Sequence, residues 1–374
     1  MKAVLRVVLP LLAVILVYQA GVAQATTYMY ASDEVTAAAS DQKPATVSQP
    51  PCVENAICPE NCRASGCCSS CDCRWLYADL EVQRMTGYTS YQFGSAPGEP
   101  NLAAPYGPES KLDFSLDSTW TGLRLGVQRC NWDVHFEWLT AMAQHIDGGM
   151  KDYDWNTDFI LPRNDPDRLD SLSHSSTRWN DGQQIDIEAD YKYSDCFLGM
   201  PIEVWPLAGF RWERLDMTAY AGDQLVSRNG AFGPLGPFAF QGDALTFNQQ
   251  YYTGYLGAQL RKCIERECRA PINLVFQFDW GATAGYNIDH HLLRSGDRYT
   301  MESTGGDTIH LGLCADVPLN CRWSAGLAGD YYRIRTTGTH RLLNVPQSTD
   351  ISWDNGVLVK SEQTDITLYL KATW

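Results

Sequence analysis

From Trp75 to Trp374 the sequence alternates apolar and polar residues with period two in ten separate segments. Period two throws successive side chains to opposite faces, so each segment reads as a strand with one greasy and one charged face. In 131–140 Trp132, Val134, Phe136 and Trp138 share one face, and Asp133, His135 and Glu137 the other. In 184–193 Ile185, Ile187, Ala189 and Tyr191 oppose Gln184, Asp186, Glu188, Asp190 and Lys192. Segments 274–280 and 365–374 repeat the pattern. The expected strands are 75–85, 119–128, 131–142, 184–195, 201–216, 249–260, 273–287, 307–316, 322–336 and 363–374. Most are near the roughly 9–11 residues that a tilted strand needs to cross hydrocarbon.

The connections alternate strictly. Long ones (86–118, 143–183, 217–248, 288–306, 337–362) take turns with short ones (129–130, 196–200, 261–272, 317–321). An antiparallel barrel of the outer membrane has short periplasmic turns and long external loops, with both termini on the short-turn side. The expectation is an all-β fold, a closed antiparallel transmembrane β-barrel of about ten strands, with eight to twelve as the range. Trp132, Trp323 and Trp374 fall at the short-turn ends of apolar faces, where an aromatic girdle belongs.

Residues 1–25 read as a secretory signal: Lys2 and Arg6, an apolar run from Val7 to Val17, then Ala23-Gln24-Ala25. Residues 26–51 lack periodicity and read as a disordered linker. Residues 52–73 hold Cys52, Cys58, Cys62, Cys67, Cys68, Cys71 and Cys73, which suggests a cross-linked periplasmic knot before a barrel over 74–374. The other cysteines, Cys130, Cys196, Cys263, Cys268, Cys314 and Cys321, fall in or beside the short turns. All thirteen are disulfide candidates on the same, oxidising side.

The chain carries 29 basic and 44 acidic residues; without Lys2 and Arg6 the balance is 27 − 44 = −17. Phosphate would be repelled, which argues against a nucleic-acid partner. The lumen-facing set is Asp79, Glu81, Arg124, Asp133, His135, Glu137, Asp186, Glu188, Asp190, Lys192, Arg211, Glu213, Asp279 and Lys371. Two readings follow: a buried salt-bridge network that plugs a narrow barrel, or an acidic path favouring cations.

The pattern resembles bacterial outer-membrane β-barrel proteins over residues 74–374. The ending Leu368-Tyr369-Leu370-Lys371-Ala372-Thr373-Trp374 resembles their C-terminal insertion signal, with Trp374 where most members have Phe. The Cys-rich entry is similar to the porin-like, cysteine-rich barrels of planctomycete-type bacteria. The resemblance implies an outer-membrane location, lipid and the barrel-assembly machinery as partners, and a structural or adhesive role or a narrow ion pore with external loops that bind. It implies no catalytic residues.

Other motifs are weaker. Asp152, Asp154, Asn156 and Asp158 have the spacing of calcium-loop ligands, but Thr157 replaces the expected glycine and the distal glutamate is missing. Otherwise no cofactor is implied. Some ten-stranded outer-membrane barrels are proteases with paired aspartates and a His–Asp couple at the rim. Asp289-His290-His291 offers a couple, without a matching acidic dyad, and reads as an exposed loop. The rival readings are a soluble secreted β-sandwich that binds carbohydrate, and an outer-membrane hydrolase with a loop-rim site.

Overall fold

The computed structural model describes residues 76–94, 109–129, 131–155, 169–228, 231–266, 269–293, 298–320 and 322–374. Its elements are all strands: β1 (Leu76–Phe93), β2 (Glu109–Ser115), β3 (Ser118–Arg129), β4 (Trp132–Ala141), β5 (His145–Trp155), β6 (Leu169–Tyr191), β7 (Glu203–Arg228), β8 (Ala231–Arg266), β9 (Arg269–His291), β10 (Arg298–Pro318), β11 (Trp323–Asn344) and β12 (Thr349–Thr373). All pairings between neighbours are antiparallel, and β12 pairs β1 to close the sheet.

The twelve elements make a ring of ten. β1 pairs β3 through Leu76–Met85 and β2 through Tyr88–Phe93, so β2 and β3 are two parts of one staggered strand. β4 and β5 likewise share β6 as partner. Closure leaves no sheet edge unpaired, which is what a bilayer without water demands of backbone N–H and C=O groups.

The outward face of the lower half is apolar and open: Leu80, Leu256, Leu313 and Leu368 are each about 60% exposed, and Phe278 and Trp280 about half. Water would not tolerate such a continuous band; hydrocarbon would. The alternate residues of the same strands point inward and are largely polar or charged, such as Asp79, Glu81 and Asp279.

The strands then continue well past the expected boundaries, on the long-loop side. Within the expected loop 217–248 the described residues 217–228 and 231–248 are strand, and 337–362 is strand except at 345–348. The physical reason lies in a reversal of pattern within single strands. In β7, Arg211 and Glu213 face inward between outward Phe210 and Trp212. Two residues on, Leu215 and Met217 are the fully buried inward residues, and Arg214 and Asp216 face out. β8 does the same: Leu245 and Phe247 point in beside outward Asn248 and Gln250, whereas Leu256 points out. Below the reversal the solvent outside is lipid, and above it water. The outward belt above it carries ion pairs, Arg84–Asp147 at 2.9 Å, Arg178–Asp243 at 2.8 Å and Arg214–Asp181 at 3.0 Å. A period-two apolar stripe in constant phase vanishes at this crossing, so the extensions looked like loops.

Glycines admit close packing at the strand crossings. A Cβ on Gly126 would lie 2.1 Å from the Tyr77 ring, and one on Gly209 2.2 Å from that of Tyr255. Each tyrosine lies across a neighbouring glycine and reaches a lumen carboxylate, Asp133 at 3.1 Å and Asp186 at 2.6 Å respectively.

Candidate functional site

The interior is layered along its axis. At the short-turn end lies a chamber of about 1150 Å³. Of the inward polar positions read from alternation, Asp79, Glu81, Arg124, Asp133, His135, Glu137, Asp186, Glu188, Asp190, Lys192, Arg211 and Lys371 line it. Glu213 borders a small void above it, and Asp279 is buried against His310 at 2.6 Å. Trp205, in the opposite register to the girdle tryptophans, is a lumen residue: it is buried, and the Arg261 guanidinium lies 4.0 Å from its ring centre.

Charges in the chamber are partly matched. Arg124 pairs with Glu137 and lies 3.5 Å from Glu81. Arg211 meets Asp186 at 2.8 Å and Arg261 meets Asp190 at 2.7 Å. Glu188 has only neutral donors: Gln259, Gln277 and Tyr255 at 2.9, 2.9 and 3.2 Å. Such hydrogen bonds offset much of the desolvation penalty of burial. A belt of hydroxyls, Thr253–Thr283–Thr308 at 2.9 and 2.5 Å, with Arg211 against Tyr332, roofs the chamber.

Above the roof the lumen is filled with apolar side chains. Met85, Phe114, Leu116, Trp120, Leu215, Met217 and Phe247 are fully buried there. Trp120 and Trp179 meet edge-on at 5.6 Å, and Phe114 stacks on Phe247 at 4.5 Å, joining opposite walls of the barrel. The described interior therefore holds an apolar plug above its charged network, a layer that neither reading of the sequence includes.

On the long-loop side of the plug a second polar group appears, which the alternation did not single out. Asp289 and His291, expected in an exposed loop, end strand β9 and point inward; Asp289 is fully buried with His291 Nε2 at 3.2 Å. His290 points out and stacks on Tyr299 at 4.0 Å. Glu302 lies 2.9 Å from His340 Nδ1, and Tyr91 Oη lies 3.2 Å from the same nitrogen. Burial pushes the Glu302 carboxyl well above its ordinary range, helped by the Asp289 charge, and pushes His340 down to about 3. Both groups are thus held neutral. The stacked Phe114 and Phe247 lie beside this group: Phe247 is paired with Asp289 on the same wall, and Phe114 with Met150 on the other. Two residues along the ladders, Leu112 is paired with Asp152 and Leu245 with His291.

Asp152 and Asp154, two of the calcium candidates, lie in strand β5, where extended backbone spaces alternate residues about 7 Å apart rather than curling them round one ion. Asn156 and Asp158 lie outside the described residues, as do the segment 52–73 and Cys130, Cys268 and Cys321. Cys263 and Cys314 line the chamber, and Cys314 Sγ lies 3.0 Å from Tyr369 Oη. Among the described residues no three His, Cys, Asp or Glu side chains are arranged to hold a metal ion.

A comparison with curated proteins finds no match. Among solved structures, the outer membrane protease OmpT from Escherichia coli superposes with a TM-score of 0.64 at 16% identity, over 82% of this chain and 100% of that one. The translocator domain of the autotransporter NalP from Neisseria meningitidis gives 0.31 at 9% identity over 78% of this chain and 88% of its own. The P. putida toluene transporter TodX gives 0.26 at 8% over 80% and 90%. The first likeness shows the ten-stranded outer-membrane barrel fold. The model of the family described as Pom, Protochlamydia outer membrane protein, matches residues 131–356, more than half of the sequence, and the chain belongs to that family of the bacterial outer membrane.

Proposed function

We propose that this protein is a closed, non-conducting barrel with a structural or adhesive role, whose strands extend beyond the membrane to present a rim to the outside. The observation that carries this reading is the apolar plug between acidic chamber and rim. Ions crossing it would shed their hydration without replacement ligands, at a cost of several kcal/mol or more. The short-turn end, with the chamber mouth, Cys263 and Cys314, would face the periplasm, where the segment 52–73 joins β1. Disulfides from that segment to the turn cysteines would then brace the barrel floor in the oxidising compartment, and the strand ending in Trp374 would be the segment presented to the assembly machinery. Planar-bilayer recording tests the reading. No unitary conductance is expected from the native barrel; steady channels would establish the narrow-pore alternative instead.

A second reading has a specific observation in its favour. On the long-loop side of the plug His291 Nε2 lies 3.2 Å from the buried Asp289 carboxylate, a His–Asp pair suited to activating a water at a rim hydrolase site. Peptide cleavage by intact cells that disappears in both Asp289→Asn and His291→Ala variants, at unchanged barrel abundance, would favour it over the structural role.

A further inference from the structure

The chamber is more acidic than its own cations can balance. On its wall acidic side chains outnumber Lys and Arg thirteen to six. Several carboxylate oxygens on this wall have no hydrogen-bond partner although they are buried: Asp79 Oδ1 and Asp365 Oδ1, and Asp190 Oδ1, whose other oxygen meets Arg261, belong to residues no more than 5% exposed that line the space. A buried anion without a counter-charge is costly, so the arrangement is suited to a positive ligand.

The spread of these groups selects the kind of cation. Asp79 stands opposite Lys371 on β12, and Asp365 lies six residues farther along that strand, about 20 Å at strand rise. A single metal ion needs its oxygens within a few ångströms of one point, and no three acidic or His side chains meet that condition. An elongated molecule with several separate ammonium groups does match. The wall also offers aromatic faces, and it already uses them for cations: Lys371 Nζ lies 3.7 Å from the Tyr77 ring centre, Arg261 4.0 Å from Trp205 and Arg211 4.1 Å from Tyr332. The chamber volume accommodates a chain of methylenes between charges, whose stems would lie along those rings.

We infer that the acidic chamber is a binding site for a small linear polyamine, entered from the short-turn end. The amines take the places beside Asp79, Asp190 and Asp365, and the rings of Tyr77 and Tyr369 flank the methylene chain. The site rests on the wall of the chamber and not on lumen closure, so a conducting barrel would sink the proposed function and leave this inference standing.

The test is calorimetric titration of the folded, detergent-solubilised barrel with spermidine in 150 mM-class salt, with magnesium as competitor. The expected result is saturable binding that weakens as salt is raised, survives equimolar magnesium, and falls at least about tenfold in the double variant Asp79→Asn/Asp365→Asn, two buried charges having been removed. Asp307→Asn, outward on β10, should bind like the native barrel. Heat-dependent gel migration shows which variants are folded, and Asp190→Asn repeats the measurement at a third wall position if the double variant fails to fold. No saturable binding, equal displacement by magnesium, or unchanged affinity in the folded chamber variants would overturn the inference.

Discussion

Replacing Trp120 with alanine removes the largest of the fully buried side chains. Its indole packs edge-on against Trp179 at 5.6 Å and donates to Ser118 Oγ at 2.9 Å. A buried Trp→Ala change costs about 3–5 kcal/mol, since the lumen walls are hydrogen-bonded all round and collapse poorly onto the space. At about 2–4 °C per kcal/mol the unfolding temperature should fall by roughly 6–20 °C. The temperature at which the compact band disappears from unboiled gels reads this directly. Leu80→Ala is the control: Leu80 is 64% exposed on the outward face, where a lipid chain fills the space left, so its effect should be a small fraction of the other. Equal shifts for Trp120→Ala and Leu80→Ala, or a larger shift for Leu80, would refute the assignment of these two residues to plug and lipid face.

The remaining predictions concern the rim, the crossings and the lumen. Glu302, held up, gives stability that is present below its unfolded value near 4.5 and lost as pH rises; His340, held down to about 3, gives stability present above about 6.5 and lost as pH falls. The slopes oppose between about 4.5 and 6.5, so amide-exchange protection at 287–291 and 338–342 should be greatest there, and Glu302→Gln should abolish the decline on the alkaline side. Gly209→Ala sets a methyl 2.2 Å from the Tyr255 ring and should lower stability by about 1–3 kcal/mol while weakening the hold on Asp186; equal heat migration would contradict this. Phe114→Ala with Phe247→Ala breaks the stack joining the two walls, and should give the first measurable ion leak in bilayers where the native barrel shows none.

The barrel itself was legible because ten stripes of constant phase share one chemistry: Phe136 and Trp138 out, His135 and Glu137 in. The inward polar positions follow from the same rule. What could not be read was the upper third. There the alternation survives with its sign reversed, as at Arg214-Leu215-Asp216-Met217, and a search for outward grease sees polar residues and stops. The plug was missed for that reason, although Leu215 and Met217, or Leu245 and Phe247, carry the signal: apolar residues that keep period two but step by one. Asp289 and His291 lie just past the strand end that alternation predicts, at 287. Their pairing needs β9 to run to His291, with Leu245 of β8 beside it. The Asp152–Asp154 spacing suggested a coiled ion loop, and only the ladder with Lys111 and Leu112 makes it a strand.

Residue-level labelling from inside the bilayer tests the assignment of faces most directly. A carbene-generating phospholipid, followed by mass spectrometry of the reconstituted barrel, should modify Ile185, Ile187, Phe278 and Leu368 and leave Asp186, Glu188, Leu215 and Met217 untouched. Modification of Asp186 and Glu188 with Ile185 and Ile187 spared would contradict it, and modification of Leu215 and Met217 would place the lipid boundary above the point where the pattern reverses.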